Sequence, residues 1–370
     1  MRVKLEEVCE RGSSNLKQSD VVKMSGKYPI YGASGHIGNA DFYHQEKSYV
    51  SVIKDGAGVG RVYLNPAKSS VIGTMQYLLP KNNVIPKYLY YVIRYMHLEK
   101  YYTGATIPHI YYRDYKNEQF NLASLEKQER VVEILEKCEK IIDSRRCELE
   151  KFDKLVKARF VEMFGDPATN PYNWDKVNIS EVVGDKVSNG FFAKRDDYAD
   201  DGNVSVMGVA YIVNRMYSQW QDLPRTNGTD KDIEKFEVKY GDMLFCRSSL
   251  VAEGIGKASI VPEDVPQNTL FECHVIRLPL DLSKCVPEYM QVFSTMEYFR
   301  QQIIAQSKTA TMTTIGQDGI LKADILLPPM SKQREFYAFV HQVNKSKVAV
   351  QKALDETQIL FDSLMQKYFG

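Results

Sequence analysis

No stretch of this 370-residue sequence approaches the roughly 18 to 20 consecutive apolar residues that a membrane-spanning helix needs. The opening residues, Met1-Arg2-Val3-Lys4-Leu5-Glu6-Glu7, hold no apolar segment ahead of a small-residue cleavage site, so secretion is not signalled and a cytoplasmic protein without membrane contact is expected. The six cysteines (Cys9, Cys138, Cys147, Cys246, Cys273, Cys285) form no C-x-x-C pair, and no histidine stands at zinc-finger spacing from them. Free buried thiols are the expectation, with no metal bound. The histidines (His36, His44, His97, His109, His274, His341) show neither H-x-x-x-H nor H-E-x-x-H spacing, and none is assigned a catalytic or ligating role. A marked excess of charge is also missing: the net charge of +1 neither demands nor excludes nucleic acid, since binding follows the clustering of basic residues rather than their sum.

Motifs for catalysis and cofactors are absent as well. Gly56-Ala57-Gly58-Val59-Gly60 has G-x-G-x-G spacing rather than G-x-G-x-x-G, and no acidic residue about twenty positions on completes a dinucleotide fingerprint. Gly256-Lys257-Ala258 lacks the upstream glycine and the Ser or Thr of a Walker loop. An enzyme that methylates adenine needs Asn, Asp or Ser before Pro-Pro-aromatic, to hold the exocyclic amine and stack on an extruded base. Leu327-Pro328-Pro329-Met330 has neither end of that motif, and Asn170-Pro171-Tyr172 lacks the second proline. No catalytic residue is therefore assigned.

What is present is a repeat. Residues 122–165 begin Leu122-Ala123-Ser124-Leu125-Glu126-Lys127-Gln128 and end Phe160-Val161-Glu162-Met163-Phe164-Gly165, while residues 327–370 begin Leu327-Pro328-Pro329-Met330-Ser331-Lys332-Gln333 and end Tyr368-Phe369-Gly370. Gln128 and Gln333 lie 205 residues apart, as do Gly165 and Gly370. The same offset relates Ala105-Thr106 to Ala310-Thr311 and Ile110 to Ile315. With small shifts, Pro86-Lys87-Tyr88 pairs with Pro287-Glu288-Tyr289, Gly60-Arg61 with Gly256-Lys257, and Val3-Lys4-Leu5 with Val177-Asn178-Ile179. A run of turn formers, Gly165-Asp166-Pro167 to Asn173, marks the seam between the halves.

Each half closes on a long stretch free of Gly and Pro. After Ser124 as cap, Val131, Leu135, Cys138, Ile142, Leu149, Phe152 and Val156 recur at heptad-like steps, with Arg145 interrupting. In the second stretch the series is Phe336, Val340, Val343, Lys347, Val350, Leu354, Thr357 and Phe361. A helix of this length runs about 60 Å at 1.5 Å per residue, more than its own domain can bury. The two helices are accordingly expected to pack on each other as an antiparallel coiled coil. Ahead of each lies a segment with short strand-like runs. In the first half these are Ser48–Ile53, Arg61–Leu64 and Met75–Leu79, followed by a helix over Lys87–Lys100. In the second they are Val204–Met207, Asp242–Cys246, Lys257–Val261 and Cys273–Leu278, followed by a helix over Pro287–Ala305. The fold class expected is α+β: two α+β domains in pseudo-repeat, each followed by a long helix. The boundaries are 1–122 for the first domain, 123–165 for its helix, 166–327 for linker and second domain, and 328–370 for the second helix.

This order of parts resembles the specificity (S) subunit of type I restriction-modification systems. The residues that carry the resemblance are Tyr28-Pro29-Ile30-Tyr31-Gly32-Ala33-Ser34-Gly35-His36-Ile37-Gly38, Gly241-Asp242-Met243-Leu244-Phe245-Cys246-Arg247 leading to Gly254-Ile255-Gly256-Lys257, and the starts and ends of the two long stretches. The resemblance spans the whole chain. It implies that the two globular parts are target recognition domains, each reading half of a split site in double-stranded DNA, with the helices as spacer and docking surface. It further implies a non-catalytic role in DNA methylation and restriction, beside two methyltransferase subunits and ATP-driven restriction (translocase) subunits. S-adenosylmethionine, ATP and magnesium would then sit on those partners, and no cofactor on this chain.

Residues that touch DNA are sought in loops combining basic, amide and aromatic side chains, because phosphate contacts fix register while Arg, Lys, Asn and Gln read base edges. In the first half these are His36, Asn39, Lys54, Arg61, Tyr111 and Arg113. In the second they are Phe192, Lys194, Arg195, Arg247, Ser248, Lys257, Lys308 and Thr311. Arg61 with Lys257, and Thr106 with Thr311, stand at equivalent places. Two other readings are a scaffold that joins protein partners without DNA, and the specificity subunit of a different restriction system.

Overall fold

A computed structural model describes residues 1–104 and 108–370. The pairing of Ala105 and Thr106 with Ala310 and Thr311 lies, on its first side, outside the described residues. The chain divides into two compact units, Met1–Cys147 with Val350–Gly370, and Glu148–Ala349.

The first unit is built on a four-stranded antiparallel sheet in the order Cys9–Ser13, Met75–Pro80, Tyr49–Ile53, Val62–Asn65. Its inner strand Tyr49–Ile53 is buried at every position, as a run of Val, Ile and Tyr paired on both sides should be. A smaller sheet places Tyr28–Gly32 between Gly35–Ala40, antiparallel, and Ser70–Val71, parallel. Helix Pro86–Tyr95 starts with proline at its first turn, where a missing N–H costs nothing, and buries Tyr88, Leu89, Tyr91, Val92 and Ile93. The helix expected to reach Lys100 stops earlier: His97 takes a left-handed φ of 51°, and only a 3-10 turn, Leu98–Tyr101, follows.

In the second unit the same plan recurs. Its four-stranded antiparallel sheet runs Ser188–Asn189, Val275–Pro279, Asp242–Cys246, Ala258–Ile260. A three-stranded sheet again mixes one antiparallel neighbour, Arg225–Thr226, with one parallel neighbour, Thr269–Phe271, around Val204–Met207. A two-stranded ribbon closes each unit: Arg2–Lys4 with Gln119–Asn121 in the first, Asp175–Asn178 with Asp324–Leu327 in the second. The single helix expected over Pro287–Ala305 is two helices, Pro287–Ser294 and Glu297–Ala305. Ser294 and Thr295 hydroxyls donate back to the carbonyls of Gln291 and Val292, and Met296 turns extended.

The long helices span Leu125–Phe164 and Met330–Phe369. Val131, Leu135, Cys138 and Ile142 of the first, with Phe361, Met365 and Phe369 of the second, complete the first unit's core. Val156, Phe160 and Phe164 with Phe336, Val340 and Val343 do the same in the second unit. There the helices run antiparallel, since Arg159 reaches Glu335 while Lys347 lies 2.6 Å from Asp153. Lys347 thus answers an acid at the position where the first series has Ile142. Leu149, Val350 and Leu354 are only half-buried, so the apolar seam is weakest at mid-helix.

Helix and domain are joined by a pair of fully buried glutamines. Gln128 Oε1 accepts from the Ile85 N–H at 2.9 Å, and its Nε2 donates to the Asn83 and Ala123 carbonyls. Gln333 Oε1 accepts from the Val286 N–H at 2.8 Å, and its Nε2 donates to the Lys284 and Pro328 carbonyls. Ile85 and Val286 each precede the proline that starts a helix, so each glutamine satisfies an N–H that the helix itself cannot. Tyr88 and Tyr289 reinforce the same join by donating to the carbonyls of Asn121 and Leu326.

All six thiols are free, and four are buried as expected. Cys147 is exposed and Cys273 half-exposed, because one lies on the polar face of a long helix and the other in a turn. Burial pushes the Cys9 and Cys285 thiols up to about 12.

Candidate nucleic-acid interface

In the first unit the loop after strand Tyr49–Ile53 carries Lys54 at its start and Arg61 at its end. Gly56, Gly58 and Gly60 between them all take positive φ, and a side chain at Gly60 would come within 2.6 Å of the Glu99 backbone. The loop is pinned where Gly56 N–H donates to the Pro108 carbonyl, Ile110 N–H donates to the Lys54 carbonyl, and His109 hydrogen-bonds the Asp55 carboxylate. Its anchoring lines up an array. Lys54 lies 3.9 Å from Asp55, the His109 and Tyr111 rings are 4.0 Å apart, and the Arg113 guanidinium sits 4.6 Å over the Tyr111 ring. Tyr111 and Arg113 also line an open cavity of about 510 Å³ with Lys100 and the exposed Tyr102. Arg61 is exposed, its guanidinium folded over Gly58.

His36 and Asn39 stand apart from this array on the hairpin Tyr28–Gly32 and Gly35–Ala40. Their side chains bond each other at 3.0 Å, and the exposed His36 ring meets Tyr31 edge-on. Gly35, with φ of 101°, makes the turn that presents them.

In the second unit a small sheet of Ser248–Ser249, Thr313–Thr314 and Lys308–Thr309 gathers four of the expected residues. Arg247 leads into it, with Nη1 donating to the Cys273 carbonyl at 3.1 Å. Ser248 Oγ is 3.1 Å from His274 Nδ1, and Lys308 faces Thr314 across the sheet. Exposed Thr311 forms the connecting turn. The loop that follows Ser249 projects Leu250, 82% exposed, and Val251 beside this polar edge. Neither is among the residues expected from sequence, where the signal is an apolar pair between Ser248-Ser249 and the Gly254 turn.

Phe192 is 69% exposed on the segment that follows Gly190, where any side chain would strike the Phe271 and Glu272 carbonyls. That segment and Arg247 flank the same Glu272–His274 turn. Lys194 and Arg195 follow on a 3-10 turn, exposed but outnumbered by Asp196, Asp197, Asp200 and Asp201, so their local field is negative. Lys257 does not join the group: its ammonium donates to Asn214 Oδ1 at 2.8 Å and faces a separate cavity. The place equivalent to Arg61 in the first unit therefore presents its cation differently in the second.

The arrangement is one of donors and flat apolar surface. Among the described residues no three His, Cys, Asp or Glu side chains converge to hold a metal, and no helix is long and apolar enough to cross a membrane. Arg247, Lys308, Lys54 and Arg113 can donate to phosphate or guanine edges, and Leu250 offers the contact that a thymine methyl takes.

Residues 1–151 match the model of the type I restriction modification DNA specificity domain. The type I restriction enzyme MjaIX specificity subunit of Methanocaldococcus jannaschii is 19% identical over 319 residues, covering 78% of this chain and 69% of that protein. The fold is similar to the S subunit of a type I restriction-modification system from M. genitalium, at a TM-score of 0.58 and 13% identity, covering 100% of this chain and 96% of the other. It is also similar to a chain from a structure describing complex assembly and conformational transition of the type I R-M system, at 0.52 and 15%, covering 100% and 97%.

Proposed function

We propose that this chain, whose residues 1–151 match the model of the type I restriction modification DNA specificity domain, is the DNA-reading subunit of a type I restriction-modification complex. The carrying observation is that the second unit repeats the four-stranded sheet, the mixed three-stranded sheet and the closing ribbon of that matched domain, and adds the small Ser248–Ser249 sheet, under a different set of loops. A duplicated reader with divergent loops suits a split target whose halves differ. In this reading the first unit meets DNA through Lys54, Tyr111, Arg113, Arg61 and the His36–Asn39 hairpin. The second meets it through Arg247, Ser248, Lys308, Thr311 and Phe192, with Lys194 and Arg195 as peripheral phosphate contacts. The chain performs no chemistry itself. Two methyltransferase subunits using S-adenosylmethionine act at the sites it selects, and ATP- and magnesium-dependent restriction subunits join them for cleavage in the cytoplasm.

A methylation map of the source genome with and without this gene tests the proposal. Loss of one split, adenine-methylated motif on deletion is expected and yields both half-sites. An unchanged map from cells that express the gene beside an intact methyltransferase overturns it in favour of a scaffold without DNA.

A further inference from the structure

The cavity that Lys257 faces lies in the second unit, between the long-helix segments and the sheet, and has a volume of about 530 Å³. Five cations line it: Lys157, Arg215, Lys257, Arg300 and Lys347. Asp153 is the one acidic residue in the lining, and it is already bound by Lys347 at 2.6 Å. Among the described residues the other four cations make no ion pair. Lys257 is held by the neutral Asn214 side chain, Arg215 by Gln219, and Arg300 by the Glu253 carbonyl at 3.0 Å. Among the described residues Arg300 Nη1 has no hydrogen-bond partner, and burial lowers the pKa of its guanidinium. Four cations without an ion pair, with Glu297 acting on Arg300 only at longer range, leave a positive field around one concavity that a folded protein ordinarily neutralises with carboxylates. Here the described lining offers Asp153 alone against five cations.

We infer that this cavity is a phosphate-binding site with room for several phosphate groups. The volume falls within the range of small-ligand sites. Fork-shaped guanidinium donors beside ammonium groups are the chemistry that phosphate oxygens take. A phosphate chain could come from a nucleotide or polyphosphate free in solution, or from the backbone of the DNA that the complex engages. The cavity's charge is independent of how the rest of the chain meets DNA, so the site and the proposed function can fail separately.

The experiment is calorimetric titration of the full chain with inorganic tripolyphosphate, repeated on the double variant Arg215→Gln, Lys257→Gln. Both residues are partly exposed, and unchanged melting of the ligand-free variant establishes that it folds. One tripolyphosphate per chain is expected, weakened about tenfold or more in the variant, since charge-assisted hydrogen bonds are removed. Competition then separates the sources, using a duplex carrying the motif mapped in the source genome and the chain together with its methyltransferase subunits. Displacement of tripolyphosphate by the duplex identifies the DNA backbone as the natural occupant, and binding of both without competition identifies a free polyphosphate. No binding of tripolyphosphate at millimolar concentration, or equal binding by the variant, overturns the inference.

Discussion

Single side chains decide the two sharpest expectations. Arg247 is anchored at one nitrogen by the Cys273 carbonyl, which leaves the rest of its fork to a base or phosphate. Arg247→Ala is expected to weaken specific DNA binding by about 1–3 kcal/mol and relax one position of one half-site. Lys54→Ala should act on the other half-site. Binding and motif specificity left unchanged by both, in gel-shift and methylation assays, would remove these residues from the interface. Asp242 behaves differently, because burial outweighs the Lys239 N–H it accepts and the Arg277 guanidinium 3.9 Å away, raising its pKa from 3.8 to about 6. The folded form then holds the proton more tightly than the unfolded form. The stability this group affects is therefore highest below its ordinary value and declines as pH rises through about 6, by on the order of 2–3 kcal/mol. In urea unfolding followed across that window, Asp242→Asn should flatten the decline, and an unaltered slope would assign it to other groups. Arg247 and Lys54 are legible in sequence as loop cations, whereas the burial of Asp242 is not, since there it is one acid in a strand-like run.

At the level of elements, legibility followed side-chain pattern. Val204–Met207 and Asp242–Cys246 are strands at the bounds their apolar runs imply, and both long helices end at glycine. Cys9–Ser13 and Gly35–Ala40 escaped, since Gly, Ser and charged residues give no alternation and only the pairing partner makes them strands. The break at Thr295 escaped because hydroxyls returning to the preceding turn look, in sequence, like tolerated helix residues. The likeness of Lys257 to Arg61 groups it in sequence with the loop cations, yet Asn214, distant in sequence, draws its ammonium elsewhere. The repeated glutamine was visible as a repeat but not as a join. Gln128→Leu or Gln333→Leu leaves one buried N–H and two carbonyls unmet, and each should cost about 1–3 kcal/mol or more in denaturant unfolding. A loss within a few tenths of a kcal/mol would show that water takes the glutamine's place.

For the molecule as a whole, the telling feature is the composition of the two units. Each draws its core from both long helices, so neither is a simple run of sequence from a domain's start to its end. Removing residues 350–370 takes Phe361, Met365 and Phe369 from the first unit and uncovers Tyr88, Tyr91 and Leu135, while the second unit keeps all its residues. Limited proteolysis of that truncated chain is expected to degrade residues 1–147 first and spare 148–349. Equal resistance of both regions would show that the terminal segment adds little.

Time enters through the same feature. A ribosome releases the second unit's residues as one uninterrupted stretch, so that unit can close while synthesis continues. The first unit was begun earlier but must wait, its aromatic face open, until the last turns of the second long helix emerge. The part made first is finished last, and a message cut short within the codons for residues 350–370 would yield a sound second unit attached to an unfinished first one.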